Sequence, residues 1–277
     1  MKKVTNGILV VNKPSGMTSR DVVNILNKKF NTKKIGHTGT LDPIASGVLI
    51  CLIGKYTKLS DYITSNKKEY IASFDLGYLT DTLDIEGKVL HEKECNIKDD
   101  DIKKAVLSFK KTYNQEVPIY SAVKMYGKKL YEYARLEEDI VLPSRKVTIY
   151  DIDYLGNNTF KALVSKGTYI RSLIRDIGEK MGTYATMTKL ERTMQGDFDI
   201  KDSFTLEDIE KDNYKLLHAN DLFKTIELTE EEYKKACNGV KLKLDTNEDI
   251  VCLTYGNKEV CLYKKDGDYY RMFVKFD

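Results

Sequence analysis

Apolar positions fall into three patterns along the chain, and each predicts a kind of element. Residues 7–13 (GILVVNK) and 47–54 (GVLICLIG) are unbroken apolar runs, the first leading into a Lys-Pro-Ser-Gly turn. Runs this short, bounded by turn residues, predict buried strands. Residues 69–77 (EYIASFDLG) alternate instead, with Tyr70, Ala72, Phe74 and Leu76 on one face and Ile71, Ser73 and Asp75 on the other. Similar alternation in 145–155 (RKVTIYDIDYL) and 160–167 (FKALVSKG) predicts two more strands. Helical spacing appears three times: Val22, Val23, Leu26 and Phe30 behind a Ser19 cap; Ile102, Ala105, Val106 and Phe109 in an Asp-led segment at 99–110; and Ile170, Leu173, Ile174 and Ile177, with Gly182 as the stop. Residues 80–87 (TDTLDIEG) are turn chemistry dense in carboxylates, and 118–145 is rich in Tyr, Lys and Arg with little regularity before KKLYEYAR.

After about residue 222 the texture changes. Thr229 and Glu232 form a capping box for a short helix ending at Asn238-Gly239. Three short strands follow, with turns at Gly256-Asn257 and Asp266-Gly267. The chain therefore divides into a large α+β domain, 1–222, and a small β-rich module, 223–277.

Composition narrows the class. Of the 277 residues, 42% are apolar and 31% charged, which describes a soluble globular protein. The N-terminal run ILVV is too short for a signal or a membrane span, which predicts a cytoplasmic protein. The five cysteines lack CxxC spacing and the three histidines lie far apart, so neither a disulfide framework nor a metal site is expected. Residues 1–70 hold 12 Lys and Arg against 4 Asp and Glu, an excess of +8, which leaves −5 for the remainder of a chain of net +3. A basic N-terminal third points to a polyanionic partner.

Most motifs fail. GVLICLIGKYT has its glycines too far apart for a phosphate loop, and no GxGxxG and no Ser-His-Asp or Cys-His set is present. One group stands out. The stretch KKIGHTGTLDPIASGVLI, residues 33–50, carries a single acid, Asp42, in a loop with glycines at 36, 39 and 47. An Asp before Pro in such a loop is ordinarily a turn former.

Five segments change that balance: GILVVNKPSGMTSRDVV, GHTGTLDPIASGVLI, KEYIASFDLGYLTDTLDIEG, PIYSAVKMYGKKLYEYAR and SKGTYIRSLIRDIG. In this order, and covering most of residues 7–182, they resemble the TruB family, the tRNA pseudouridine synthases that isomerise the T-loop uridine at position 55. The resemblance implies a catalytic domain with a mixed, mainly antiparallel sheet and flanking helices. It also implies that the C-terminal module stands in the place of a β-barrel-like, PUA-type RNA-binding domain, where the likeness is weaker. By the same resemblance Asp42 is the catalytic carboxylate, a group suited to adding to an electrophilic carbon or removing a proton. Whether it attacks ribose, attacks the base or abstracts a ribose proton is left open.

Arg171 matches the family arginine that pairs with this aspartate, and a guanidinium holds a carboxylate by two hydrogen bonds. Arg175, one turn on, reads as an ordinary surface arginine. Tyr70 matches the tyrosine that stacks on the target base, Tyr169 and Leu190 resemble pocket-wall residues, and His37 matches the histidine that fills the place of the extruded base. Residues 118–145 resemble a mobile clamp over the RNA, with Lys124, Lys128 and Lys129 as phosphate contacts. Lys13 and Pro14 are expected to support the pocket from behind, and Asp81 and Asp84 to position a loop. The implied partner is the tRNA T-arm, engaged by a monomer without metal or cofactor. Two alternatives stay open: an RNA-binding folding helper, and a synthase acting on another RNA.

Overall fold

The unbroken apolar run at 47–54 belongs to a strand that is buried from both sides. The computed structural model describes residues 6–63 and 67–276; the outermost residues of the two expected domains, 1–5 and 277, lie outside the described residues, as do 64–66. In the strand Ser46–Ile53 every residue after Ser46 is buried. Leu49, Cys51 and Ile53 join an apolar cluster with Val22, Val23 and Leu26 of the helix Ser19–Lys29. Val48, Ile50 and Leu52 leave on the opposite face, as alternate strand residues must. They pack with Ile250, Cys252, Leu262 and Val274 from the C-terminal strands. Each such side chain, fully buried, contributes roughly 1.5–3 kcal/mol.

Nine strands of the described residues form the main sheet. Its order is Gly7–Lys13, Ser46–Ile53, Ala185–Gln195, Lys67–Leu76, Thr159–Ser165, Ser144–Gly156 and Thr112–Glu116. Ile35–His37 pairs with Ser46–Ile53, and Phe198–Asp199 with Ala185–Gln195. The pairings are antiparallel, except that Ser46–Ile53 meets Ala185–Gln195 in parallel at Ser46/Glu191 and Gly47/Arg192. The mixed, mainly antiparallel sheet is thus present. The helices Ser19–Lys29, Asp99–Leu107 and Ile170–Lys180 bury their apolar stripes against it.

That parallel contact brings two backbones together at Gly47. Its φ is +100°, and a Cβ there would stand 2.2 Å from the carbonyl oxygen of Arg192. Only glycine fits this conformation and this approach. Gly47→Ala is expected to cost at least about 2 kcal/mol, since left-handed strain alone costs roughly 1–2 kcal/mol and the backbone clash adds to it. Thermal melting of the variant checks this, and an unchanged Tm would contradict the contact.

The first helix starts at Ser19, yet its cap is Thr18, which exchanges bonds with Asp21 in a capping box. Ser19 is free for another task because Thr18 already satisfies the helix end. It is buried, and its hydroxyl donates to the Leu41 carbonyl (3.1 Å) and accepts from the Leu41 N–H (2.9 Å).

The second sheet runs Lys224–Glu227, Ile250–Tyr255, Lys258–Asp266, Tyr269–Lys275, with the helix Glu230–Cys237 capped by Thr229 and Glu232 as expected. It is clipped to the main sheet by Tyr56, whose hydroxyl donates to Glu259 Oε2 (2.8 Å) and accepts from the Ala219 N–H (2.8 Å). Among the described residues no helix is long and apolar enough to cross a membrane.

Candidate active site

The Asp42 loop is held from three sides by groups of quite different kinds. In front, Ser19 binds the Leu41 backbone, Ser15 donates to the Ile44 carbonyl (2.8 Å), and the Gly16 N–H donates to the Pro43 carbonyl (2.9 Å). Beneath, the fully buried Lys13 donates to the carbonyls of Met17 (2.6 Å), Pro14 (2.9 Å) and Pro43 (3.3 Å). Its ammonium therefore ties the Lys-Pro-Ser-Gly turn to the residue after Asp42. Burial pushes the Lys13 amine down to about 8, against the pull of the Asp42 charge.

Behind the loop lies Arg192, fully buried on Ala185–Gln195. It donates to the carbonyls of Val48 (2.7 Å), Gly39 (3.0 Å) and Thr40 (3.4 Å). Gln195, on the same strand, donates to the Thr38 hydroxyl (2.7 Å). Loop backbone that would otherwise lack partners is satisfied by these long side chains. Neither residue was expected from the sequence; the available signal was a basic and an amide side chain at inward positions of LERTMQ.

The chemistry converges where this loop meets the helix Ile170–Lys180. Arg171, on the first turn of that helix and only 5% exposed, donates from Nε to Asp42 Oδ2 (3.0 Å) and from Nη2 to Asp42 Oδ1 (3.3 Å). Its remaining N–H groups donate to the carbonyls of Thr82 (2.7 Å) and Tyr120 (3.1 Å). One planar fork thus joins the aspartate loop, the acidic turn at 80–87 and the segment after Pro118. Asp84, buried, adds a second carboxylate 3.8 Å from Arg171 Nη1. It also accepts from the Thr82 hydroxyl (2.7 Å) and the Glu86 N–H (3.1 Å), so its turn duty and its place beside Arg171 are one arrangement.

Asp42 remains about one-third exposed (34% for its side chain), and it opens into a cleft of about 580 Å³. Tyr70, Tyr169, Leu190, Asp84 and Arg171 line that cleft with it. Tyr70 rises from the centre of the sheet and is 7% exposed. The Tyr169 backbone is fixed by both ends of the Gln115 amide, and the Arg145 guanidinium stands 5.6 Å from its ring centre. The segment after Pro118 supplies the outer wall through Tyr120, Ser121, Ala122, Tyr131 and Arg135. Tyr120 donates to Asp81 Oδ2 (3.2 Å), and burial followed by the Asp81 charge raises its pKa. A carboxylate, aromatic faces and an apolar wall suit a planar, polar ring such as a nucleobase.

Not every expected residue lines the cleft. Lys13 lies under the loop, out of reach of a ligand. His37 closes the short strand Ile35–His37, outside the lining; burial, then the charges of Arg20 and Arg192, lower its pKa, so the ring is neutral. Lys124, Lys128 and Lys129 sit on the two-stranded hairpin Lys124–Met125 and Lys128–Lys129, with Lys124 exposed and Lys128 paired to Glu138 (3.0 Å). Arg175 differs from expectation. Its side chain is only 12% exposed and pairs with Asp176 and Glu116 (2.8 Å each), because the strand Thr112–Glu116 crosses that face of the helix. Among the described residues no group of three or more metal-ligating side chains is gathered.

Known proteins resemble this chain along most of its length. The model of the TruB family pseudouridylate synthase N-terminal domain matches residues 27–170, and that of the tRNA pseudouridylate synthase B C-terminal domain matches 171–230. The tRNA pseudouridine synthase B of Caldicellulosiruptor saccharolyticus is 42% identical over 286 residues, covering 98% of this chain and 99% of that one. Its counterpart in Lactobacillus acidophilus is 41% identical over 286 residues, covering 96% of each. A chain in the crystal structure of a Cbf5-Nop10-Gar1 complex shares the fold, with a TM-score of 0.67 over 99% of this chain and 85% of that one, at 22% identity.

Proposed function

The chain belongs to the TruB family of pseudouridylate synthases, and on that premise we propose that it converts uridine to pseudouridine at position 55, in the T-loop of tRNA. The observation that carries the proposal is the two-point grip of Arg171 on Asp42 at the mouth of an aromatic-lined cleft.

The reaction balances within the substrate. The N1–C1′ bond breaks, the uracil turns, a C5–C1′ bond forms, the C5 proton leaves and N1 takes one up. Asp42 supplies the carboxylate for the step at the sugar or base, and Arg171 holds both its oxygens so that the reacting geometry is kept. The T-loop uridine is stacked and must be extruded, at a cost of about a few kcal/mol. Tyr70 gives the extruded base a face to lie on, with Tyr169 and Leu190 enclosing it. His37, neutral and beside the loop, is the candidate to fill the vacated stack, and the lysines of the 124–129 hairpin are candidates for phosphates of the T-arm. The protein acts as a monomer and draws no reactant beyond the RNA.

Two roles for Tyr70 separate cleanly. Stacking alone predicts that Tyr70→Phe reacts at close to the wild-type rate and that Tyr70→Leu is weak, since an aromatic face under a base contributes roughly 1–3 kcal/mol. If the hydroxyl also takes the C5 proton, the Phe variant binds normally and loses about 100- to 10,000-fold in rate. Single-turnover rates at saturating tRNA distinguish them, and a fully active Leu variant removes Tyr70 from the site.

The function itself is tested by mapping pseudouridine nucleotide by nucleotide in an unmodified tRNA transcript after incubation with the protein. Modification confined to position 55 is the expected result. Modification elsewhere in place of 55 shifts the substrate, and tight tRNA binding with no modification at all favours the folding-helper alternative.

A further inference from the structure

Lys68 is a cation in the cleft without a negative partner. It lines the same cleft as Asp42 and Tyr70, is half-buried, and among the described residues no carboxylate stands within ion-pair reach of it. Burial, then the positive charges of Arg192 and Lys166, push its amine down to about 8. A lysine stem could have carried this ammonium out to water, as lysines at apolar surfaces do.

The packing aims it inward instead. In the sheet Lys68 lies opposite Gln195, and Tyr70 lies opposite Arg192. The missing side chain of Gly39 clears the space in front of them. A Cβ on Gly39 would stand 3.2 Å from Lys68 Nζ, 3.4 Å from Gln195 Oε1 and 3.6 Å from Arg192 Nη1. Gln195 Oε1 is itself a buried acceptor with no hydrogen-bond partner. Arg192 spends three of its five N–H groups on the carbonyls of Val48, Thr40 and Gly39, so the Lys68 ammonium stands beside a cation already tied to the protein and faces the cleft itself.

Spacing indicates what the cation meets. Lys68 and Tyr70 are two residues apart on Lys67–Leu76, so their side chains rise from one face about 6–7 Å apart. With uracil lying on Tyr70, an ammonium on the same face one strand repeat away stands beside the base, on the side where the sugar–phosphate backbone can pass. We propose that Lys68 receives one of the two phosphates flanking the extruded uridine, and so fixes the nucleotide's backbone while Asp42 and Tyr70 engage its sugar and base. This rests on the assignment of RNA uridine as substrate. Lys68 is a positioning residue in this role: it anchors the substrate and takes no part in bond making. A bound phosphate also sets an opposite charge against those of Arg192 and Lys166, which favours the protonated amine.

The test uses the full chain and T-stem-loop RNAs carrying a single uncharged methylphosphonate at the 5′ or the 3′ phosphate of the target uridine. With all-phosphate RNA, pseudouridine formation by the wild type establishes the substrate independently. On that RNA, Lys68→Met should lose about 10- to 100-fold in single-turnover kcat/KM, the scale of one charge-assisted hydrogen bond. Lys68→Arg, which keeps charge and donors, should recover most of that loss. One of the two methylphosphonates should cost the wild type a similar factor and cost Lys68→Met almost nothing further. The proposal is overturned if neither methylphosphonate slows the wild type, a result that does not depend on how any variant folds. It is equally overturned if the losses from Lys68→Met and from the methylphosphonate multiply in full.

Discussion

Asp42→Asn is expected to fold, to bind tRNA and to lose at least about 10,000-fold in single-turnover rate, the scale on which enzymes lose activity when the reacting group is removed. The substitution keeps shape and removes charge. Arg171 Nε and Nη2 both donate to Asp42, so an amide at 42 accepts from one and turns an NH2 toward the other. One donor then meets another donor, a local penalty of roughly 1–3 kcal/mol. The rest of the loop is tied by Lys13, Ser15, Ser19 and Arg192 through backbone atoms that the variant retains. RNA affinity should change by no more than about twofold, because a carboxylate facing a polyanion contributes little attraction to lose. Filter binding and a melting curve on the same preparation check fold and affinity. A variant that turns over within tenfold of the wild type would show that the carboxylate is a turn former only.

Arg171→Met is expected to damage both stability and rate. The methionine fills much of the space, yet it leaves Asp42 and Asp84 without their cation and the carbonyls of Thr82 and Tyr120 without a donor. Breaking a buried pair by removing one partner typically costs about 3–5 kcal/mol. The loss is felt in three segments at once, because the guanidinium is the joint between the Asp42 loop, the turn at 80–87 and the wall after Pro118. The chemical rate should fall at least about 100-fold through misplacement of Asp42 alone. Arg171→Lys tests geometry against charge. An ammonium restores the charge but cannot donate to both Asp42 oxygens and two carbonyls, so only a minor part of the rate should return. A Lys variant as fast and as stable as the wild type would mean that charge suffices and the fork is incidental.

Much of the fold is legible in the chain because its strands advertise themselves. The unbroken run at 47–54 and the clean alternation of Tyr70, Ala72, Phe74 and Leu76 are what two-sided and one-sided burial require. The Thr229–Glu232 box and the turn at Gly256-Asn257 outline the C-terminal module for the same local reasons, while the turn expected at Asp266-Gly267 falls one residue later, on Gly267-Asp268, because Asp266 pairs with Tyr269. What escapes is the strand Ala185–Gln195, which sits between Ser46–Ile53 and Lys67–Leu76. Its inward positions include Thr186, Arg192 and Gln195, so apolar periodicity is absent where burial is deepest. Those side chains are polar because they bond the carbonyls of Tyr78, Val48 and Gly39 and the Thr38 hydroxyl. The strand Lys224–Glu227 escapes for another reason: it pairs in parallel with Ile250–Tyr255, a partner far along the chain, and is exposed on most of its length.

The candidate site divides along a similar line. Asp42, Tyr70, Tyr169, Leu190 and Arg171 stand together in the cleft, and motif resemblance had singled out each of them. Local pattern alone had not: Tyr70 reads as a core tyrosine and Arg171 as a helix-surface arginine until the fold brings both to one cleft. Lys68 and Arg192 are the reverse case, since nothing in their neighbourhoods along the chain marks them. Their significance comes from the register that sets Lys68 against Gln195 and Tyr70 against Arg192. Asp84 shows how one residue can satisfy both expectations, closing a turn and facing the Arg171 guanidinium at once.

The central claim is that this chain detaches and rejoins the T-loop uracil with Asp42 as the reacting carboxylate. Its most direct test is tritium release from a tRNA labelled at carbon 5 of its uridines, followed in a single turnover with the wild type and with Asp42→Asn, beside a control tRNA lacking the T-loop uridine. The account predicts one tritium released per intact tRNA by the wild type, none from the control and none by Asp42→Asn. Equal release from intact and control tRNA, or release by Asp42→Asn at the wild-type rate, would contradict it.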